Sequence, residues 1–281
     1  MKEISKKLLI AATVLTVLGI VIIAAVYAAS GFDIKKFETV KFETTTYNIN
    51  EDFKYISIYA DIEDVDIVVS DDDRCRIVCY NQEGLTYPVE VKNNELSIGR
   101  IIDRPWYDLF EVSFEMPKMT VYLPKGEYDL LEISASTGDI SIPDDFSFKK
   151  VMIEVSTSNV EFFSPISDTV YIETSTGNVT ACGIKPNKFD VRTSTGKVSL
   201  KDVVADTRLS VRTSTGNVSL DMCDAGEISL ETSTGNISGT LRSDKLFDVY
   251  SSTGKVSVPR TISGDTCHIR TSTGNINIEI P

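Results

Sequence analysis

The chain begins with 22 consecutive residues without a charge, Leu8 to Ala29, and later settles into an alternation of apolar and polar positions that recurs every 19 or 20 residues. The first pattern predicts a membrane-length helix. At about 1.5 Å rise per residue it reaches about 33 Å, close to the ~30 Å hydrocarbon thickness of a bilayer. The second pattern is a repeat: Ser-Thr-Gly, or a near copy, recurs with its third residue at Gly138, Ser158, Gly177, Gly196, Gly216, Gly235, Gly254 and Gly274. Taking that residue as position zero, the columns align. Position −7 runs from Leu131 to Cys267, −5 from Ile133 to Ile269 and +2 from Ile140 to Ile276, with +4 mostly apolar from Ile142 to Ile278. Position −3 is small, mostly Thr, and polar side chains fill −4 and +3.

Alternation with period two over short runs of β-branched residues means strands with one buried face. Each repeat therefore predicts two short strands, near −7 to −3 and +1 to +4, joined by a turn. Such a unit cannot bury its apolar edge alone, so like units stack in register at about 4.8 Å. The predicted fold is all-β: a single parallel β-solenoid of about eight regular rungs, preceded by one transmembrane helix. A leucine-rich repeat has a similar period but needs a Leu/Asn framework that this sequence lacks. The columns continue upstream, with Ile56, Ile58, Ala60, Val65 and Ile67 matching around Glu63, and Tyr87, Val89, Val91, Leu96 and Ile98 around Asn94. The expected organisation is a basic stub over 1–7, the helix over 8–29, a linker over 30–45, irregular N-terminal coils and a cap over 46–130, and the regular solenoid over 131–281. With Pro281 directly after the last rung, that rung is expected at the open end of the stack, blunted by Glu279 and Pro281 or covered by another chain.

Turn chemistry accounts for the signature. Gly138, Gly177, Gly196, Gly216, Gly235, Gly254 and Gly274 are the structural turn residues, placed where a positive φ is needed, and Asn178, Asn217, Asn236 and Asn275 at +1 suit the same region. Ser at −2 and Thr at −1 are expected to cap turn amides and to bond between rungs. Ser158 breaks the glycine rule, which predicts strain or a different turn there.

Charge refines the picture. The chain carries 28 Lys+Arg against 41 Asp+Glu, a net of −13. Residues 1–30 hold Lys2, Lys6 and Lys7 against Glu3, so the remainder sums to −15. Cations before the apolar run and acids after it place the N-terminus in the cytoplasm and 31–281 outside, a single-pass protein of the cell membrane. The alternative is a cleaved signal peptide with Val26-Tyr27-Ala28 as its site, although the apolar run exceeds the usual 7–15 residues. So acidic an exterior repels nucleic acid. Five cysteines at irregular spacing predict free, mostly buried thiols, and the lone His268 argues against histidine catalysis. No catalytic, cofactor-binding or metal-binding residues are assigned, and no cofactor is expected.

Val121-Tyr122-Leu123-Pro124-Lys125-Gly126, then LLEISASTGDISI and seven further rungs of the STG-N-V type, resemble the "putative adhesin" family of bacterial surface proteins that carry a domain of unknown function. The resemblance covers about residues 45–281. It implies a β-solenoid behind a membrane helix or signal, in some members beside envelope-stress regulators, and transfers no catalytic residue.

Several features are candidates for contact. Trp106, Tyr107 and Phe110, in an irregular aromatic segment over 101–116, suit stacking on sugar rings or a partner protein; the plainer reading is that they plug the solenoid. At −4, Arg192 and Arg212 are adjacent like charges and, with Lys197 and Lys255 near the turns, the best candidate for an anionic cell-wall polymer, the plainer reading being a solvated face, while Glu173/Arg192 and Arg212/Glu231 are expected to pair. The Ser/Thr columns read as turn chemistry, with a periodic glycan or ice surface as the alternative. The acids from Asp61 to Asp73 form no calcium-loop motif and read as edge charges. The expected function is a non-catalytic, adhesin-like binding module whose partners are the membrane, through the helix, and a cell-wall polymer or envelope protein. A ligand-free spacer is the alternative, ahead of a polysaccharide-active enzyme.

Overall fold

The computed structural model describes residues 2–33, 38–100, 113 and 115–281, with side chains from Lys6 onward. The chain divides into two compact units, 1–41 with 105–115, and 42–104 with 116–281.

In the first unit, α1 spans Lys2–Ala29. Its body from Leu8 to Ala29 carries no charge, and the Thr13 and Thr16 hydroxyls donate back to Leu9 and Ala12 carbonyls at 2.9 Å. The helix stops in a Schellman motif. Gly31, at φ 77°, donates to Ala28 O, and Phe32 donates to Tyr27 O at 3.1 Å. The Phe32 and Tyr27 rings close the motif edge to face, centroids 5.4 Å apart. Lys6–Ala29 is long and apolar enough to cross a membrane.

The second unit is all strand. Its coils are named here by the residue at position zero. On one ladder, Leu131, Val151, Val170, Phe189, Leu209 and Ile228 stand in one parallel register, so the −7 column is one continuous buried stripe. On the other ladder, Ile140, Val160, Val179, Val198, Val218 and Ile237 do the same for +2. Phe146 and Ile184 from the returning loops, with Phe148 and Phe162 from the strands, are buried in this core.

The two ends depart from simple sequential stacking. The strand of the Gly235 coil pairs not with the Gly254 coil but with the Gly274 coil, Ile228 against Cys267, and the Gly254 coil lies beyond it, Phe247 against Cys267. The final repeat is thus intercalated, and the outermost coil is the seventh, contrary to the expectation that the last rung ends the stack. The side chains explain the exchange. The Gly274 coil offers Cys267, Ile269, Ile276 and Ile278, all buried, whereas the Gly254 coil carries Pro259, which has no N–H to give a ladder and is tolerated at an edge. Its second strand, Val256–Ser257, is two residues long, and Val256 is 47% exposed. Lys245 ties the exchange together: fully buried, its Nζ lies 2.5 Å from Asp224 and 3.3 Å from Asp265 and donates to Ala225 O at 2.8 Å.

Upstream, the Glu63 coil stacks as its columns predict, Ile56 on Leu131, Ile58 on Ile133 and Val65 on Ile140. The segment around Asn94 does not form a coil of that kind. Val89–Lys92 and Glu95–Ile98 are an antiparallel hairpin, so Leu96 and Ile98 occupy the −7 and −5 columns by pairing with Ile56 and Ile58. Asn93 and Asn94, at φ 52° and 70°, make the two-residue turn. The +2 and +4 places above Val65 and Ile67 are taken by Met119 and Val121. Antiparallel strands Cys75–Gln82 and Phe42–Ile49 then cover that edge, which keeps it from recruiting further strands.

Candidate functional site

The corner of the solenoid where one ladder turns into the other is built by three columns. All seven predicted turn glycines have positive φ, between 118° and 158°. The reason goes beyond φ: a Cβ on Gly177 would lie 1.8 Å from Ser158 O, the zero residue of the neighbouring coil, so the coils stack backbone on backbone. Ser158 fits because φ there is not positive, and it is buried with its hydroxyl unpartnered.

The asparagines at +1 do not adopt positive φ. Their carboxamides form a ladder instead: the Asn159, Asn178, Asn217 and Asn236 Oδ1 atoms accept the backbone N–H of the next coil's +1 residue at 2.7–3.0 Å. Asp64 and Asp139 begin it. Bonding between rungs falls to the hydroxyl at −3 rather than to Ser −2 and Thr −1. Thr232 and Thr271 Oγ1 donate to the Gly216 and Gly235 carbonyls at 3.1 and 3.2 Å, and Ser251 to Gly274 at 2.9 Å. The Ser and Thr at −2 and −1 are exposed from Ser156 to Thr273, facing solvent as two hydroxyl columns.

On the outer face of the longer ladder, Arg192 and Arg212 are register neighbours. Arg212 Nε donates to Glu231 at 2.9 Å, the cross-rung pair the sequence predicts. Glu173 and Arg192 do not pair. Tyr171 comes between them: its hydroxyl bonds to Glu173, its ring lies 5.5 Å from the Arg192 guanidinium, and Arg192 Nε sits 3.4 Å from Asp190 on its own strand. Burial, reinforced by Glu173, pushes the Tyr171 hydroxyl up to about 12. Sequence reasoning missed the second cationic pair, Lys188 beside Arg208, four residues upstream on the same two strands. The signal was present at position −8 of the same alignment.

Trp106, Tyr107 and Phe110 lie outside the described residues. Among the acids, Glu63 is buried at position zero of its coil, where its carboxylate accepts Tyr87 Oη at 2.6 Å and the Asp61 and Ile62 amides. Among the described residues no three His, Cys, Asp or Glu side chains form a group able to hold a metal. His268 Nδ1 lies 3.2 Å from Asp248, which also takes Arg270 at 2.5 Å. All five thiols are free. Burial pushes Cys75, Cys79 and Cys267 up to about 12 and Cys223 to about 11, so they stay protonated and inert at neutral pH.

Three crystal structures are similar to this chain, the first of them sharing its architecture. A "putative adhesin" from Bacteroides fragilis covers 85% of this chain and 97% of its own at 15% identity, with a TM-score of 0.56. A "putative adhesin" from Parabacteroides distasonis covers 86% and 98% at 13% identity and a TM-score of 0.46. A "putative lipid binding protein" from the same organism covers 85% and 97% at 17% identity and a TM-score of 0.44. At 15% identity the likeness to the first of these is one of fold. No curated protein matches the chain. The Toastrack DUF4097 family description matches residues 53–281, and the chain belongs to that family of unknown function.

Proposed function

We propose that the protein is a non-catalytic, adhesin-like surface module: a single-pass anchor over 8–29 with its basic stub 1–7 in the cytoplasm, a linker over 30–45, and an external solenoid of irregular coils over 46–130 and regular rungs over 131–281. The observation that carries this reading is the outward face of the ladder, where rung-spaced charged and hydroxyl side chains stand on a rigid, continuous core. A surface of that kind holds its groups at fixed spacing without loss of order on binding, which favours recognition of a long or repetitive partner. The uncharged helix and the acidic exterior support the membrane location. The exposed material to be bound is cell-wall polymer or an envelope protein, and reporting on the envelope follows from attachment there.

The test is sedimentation of residues 31–281 with isolated cell-wall material. Binding is expected, and a Trp106→Ala variant reports whether the aromatic segment takes part. Failure to bind wall material or to capture any envelope protein overturns the reading in favour of a spacer. Cleavage of glycan by the purified domain, lost when surface acids are replaced, overturns it in favour of an enzyme.

A further inference from the structure

Parallel ladders place like positions side by side, so a repeat protein must choose charges that tolerate their neighbours. Elsewhere on this solenoid, adjacent rungs set opposite charges together at Lys149 with Asp129 and at Arg270 with Asp248, and like acids in register at Glu154 with Glu173. The step between the Gly196 and Gly216 coils pairs Lys201 with Asp221 on one ladder but sets cation against cation twice on the other. Lys188 faces Arg208 at −8 and Arg192 faces Arg212 at −4. Like charges directly opposite destabilise a sheet. No carboxylate among the described residues lies within 4 Å of Lys188 or Arg208, and both are exposed. Glu173 on one side and Glu227 and Glu231 on the other confine the strip to these two rungs.

We infer that this two-rung strip, Lys188, Arg208, Arg192 and Arg212, binds a linear phosphodiester polymer lying along the strands. The inference rests on the binding-module reading above and names its ligand chemistry. Two cationic rows four residues apart stand about 13 Å from each other along the strand, and within each row the two cations are about 4.8 Å apart. Each row thus receives one phosphate, in a glycerol phosphate chain alternate ones because its repeat is shorter than the row spacing, and between the rows lie Ser210 and Asp190, the latter paired with Arg192. Arg192 and Arg212 stand on separate rungs and approach their own carboxylates through Nε, at 3.4 and 2.9 Å. Guanidinium groups bind phosphate oxygens with paired, charge-assisted hydrogen bonds that a lysine ammonium does not reproduce. The location also fits. Residues 42–100 and 116–184 hold 9 Lys+Arg against 23 Asp+Glu, while 185–281 hold 12 against 11, so a polyanion is repelled from the first part of the stack and admitted here.

The experiment is a titration of the full chain in detergent micelles with synthetic poly(glycerol phosphate). Binding that weakens with salt, and that falls at least tenfold in Lys188→Gln/Arg208→Gln/Arg192→Gln/Arg212→Gln, is the expected result. An Arg192→Lys/Arg212→Lys variant keeps the charge, so the loss of an intermediate part of the affinity assigns the rest to the guanidinium forks. Glycerophosphoglycerol, a lipid headgroup with a single phosphodiester, is expected to bind far more weakly than the polymer. Equal binding overturns the two-row assignment in favour of a lipid source, and equal binding of polygalacturonate overturns the phosphodiester assignment. If wall material still binds and the fourfold variant binds it as well as the parent, this inference fails while the binding-module reading stands. If neither wall material nor polymer binds, both fail.

Discussion

At the scale of single residues, the repeat signature is a set of contacts between coils more than a set of turn preferences. Glycine at zero is required because the neighbouring coil's carbonyl occupies the place of its Cβ, 1.8 Å away at Gly177. Gly177→Ala should therefore cost at least about 2 kcal/mol, from the clash and the positive φ together. Gly126→Ala, with nothing within 4 Å of its would-be Cβ, should stay within about 0.5 kcal/mol. Urea unfolding of the two variants decides it, and equal midpoints would refute the stacking account. The buried thiols supply a pH prediction. Burial raises Cys75, Cys79 and Cys267 to about 12 and Cys223 to about 11, above the 9.0 of a free thiol. Below the free value both states hold the proton and the stabilisation is fully present. As pH rises from about 9 towards 12 the unfolded chain releases protons that the folded chain keeps, and stability falls. Urea midpoints at pH 7 and pH 10 should show this decline, and a Cys75→Ala/Cys79→Ala/Cys223→Ala/Cys267→Ala variant should lessen it.

At the scale of elements, identical columns hide the order in which coils stack. The sequence specifies that Ile228, Phe247 and Cys267 belong to one stripe, and any order of the three satisfies period two. What selects the order is chemistry at the margins: Pro259 fits only an edge, and Lys245 finds Asp224 and Asp265 only with the last coil intercalated. Disulfide trapping reads the order directly. Cysteines at Glu231 and Arg270 stand on adjacent strands, about 4.8 Å apart, and should oxidise to a disulfide; cysteines at Glu231 and Tyr250 stand two strands apart and should not. The opposite outcome would restore sequential stacking. The regular columns were legible because one-sided burial imposes alternation. The hairpin at 89–98 was not, because an antiparallel pair alternates as a coil does, yet Asn93-Asn94 between apolar runs is a two-residue turn signal that period alone does not weigh. The asparagine ladder was misjudged for a related reason: a residue next to a glycine turn invites a local explanation, while its real partner lies 19 residues away. On the candidate face, Arg192 and Arg212 were legible from one column, and Lys188 and Arg208 emerge once two columns are superposed on the same pair of strands.

At the scale of the whole molecule, a solenoid converts position in sequence into position along an axis, so a charge bias in the sequence becomes a charge gradient in space. The acid-rich stretches 42–100 and 116–184 and the balanced stretch 185–281 occupy successive parts of one stack. At about 0.15 M ionic strength the screening length is ~8 Å, longer than one rung spacing and much shorter than the stack. Each coil therefore feels the charges of its immediate neighbours and little of the distant end. Repulsion among acids must then weaken the early coils locally, and added salt must relieve it there. Amide exchange measured at 10 and 500 mM sodium chloride is expected to slow more in Tyr55–Tyr59, Asp64–Val69 and Glu127–Thr137 than in Lys188–Thr195 and Val204–Thr215. A uniform response along the chain would show that the gradient has no energetic consequence. A response confined to the acidic coils would mean that the same bias which steers an anion towards the later rungs is maintained at a cost in stability of the earlier ones.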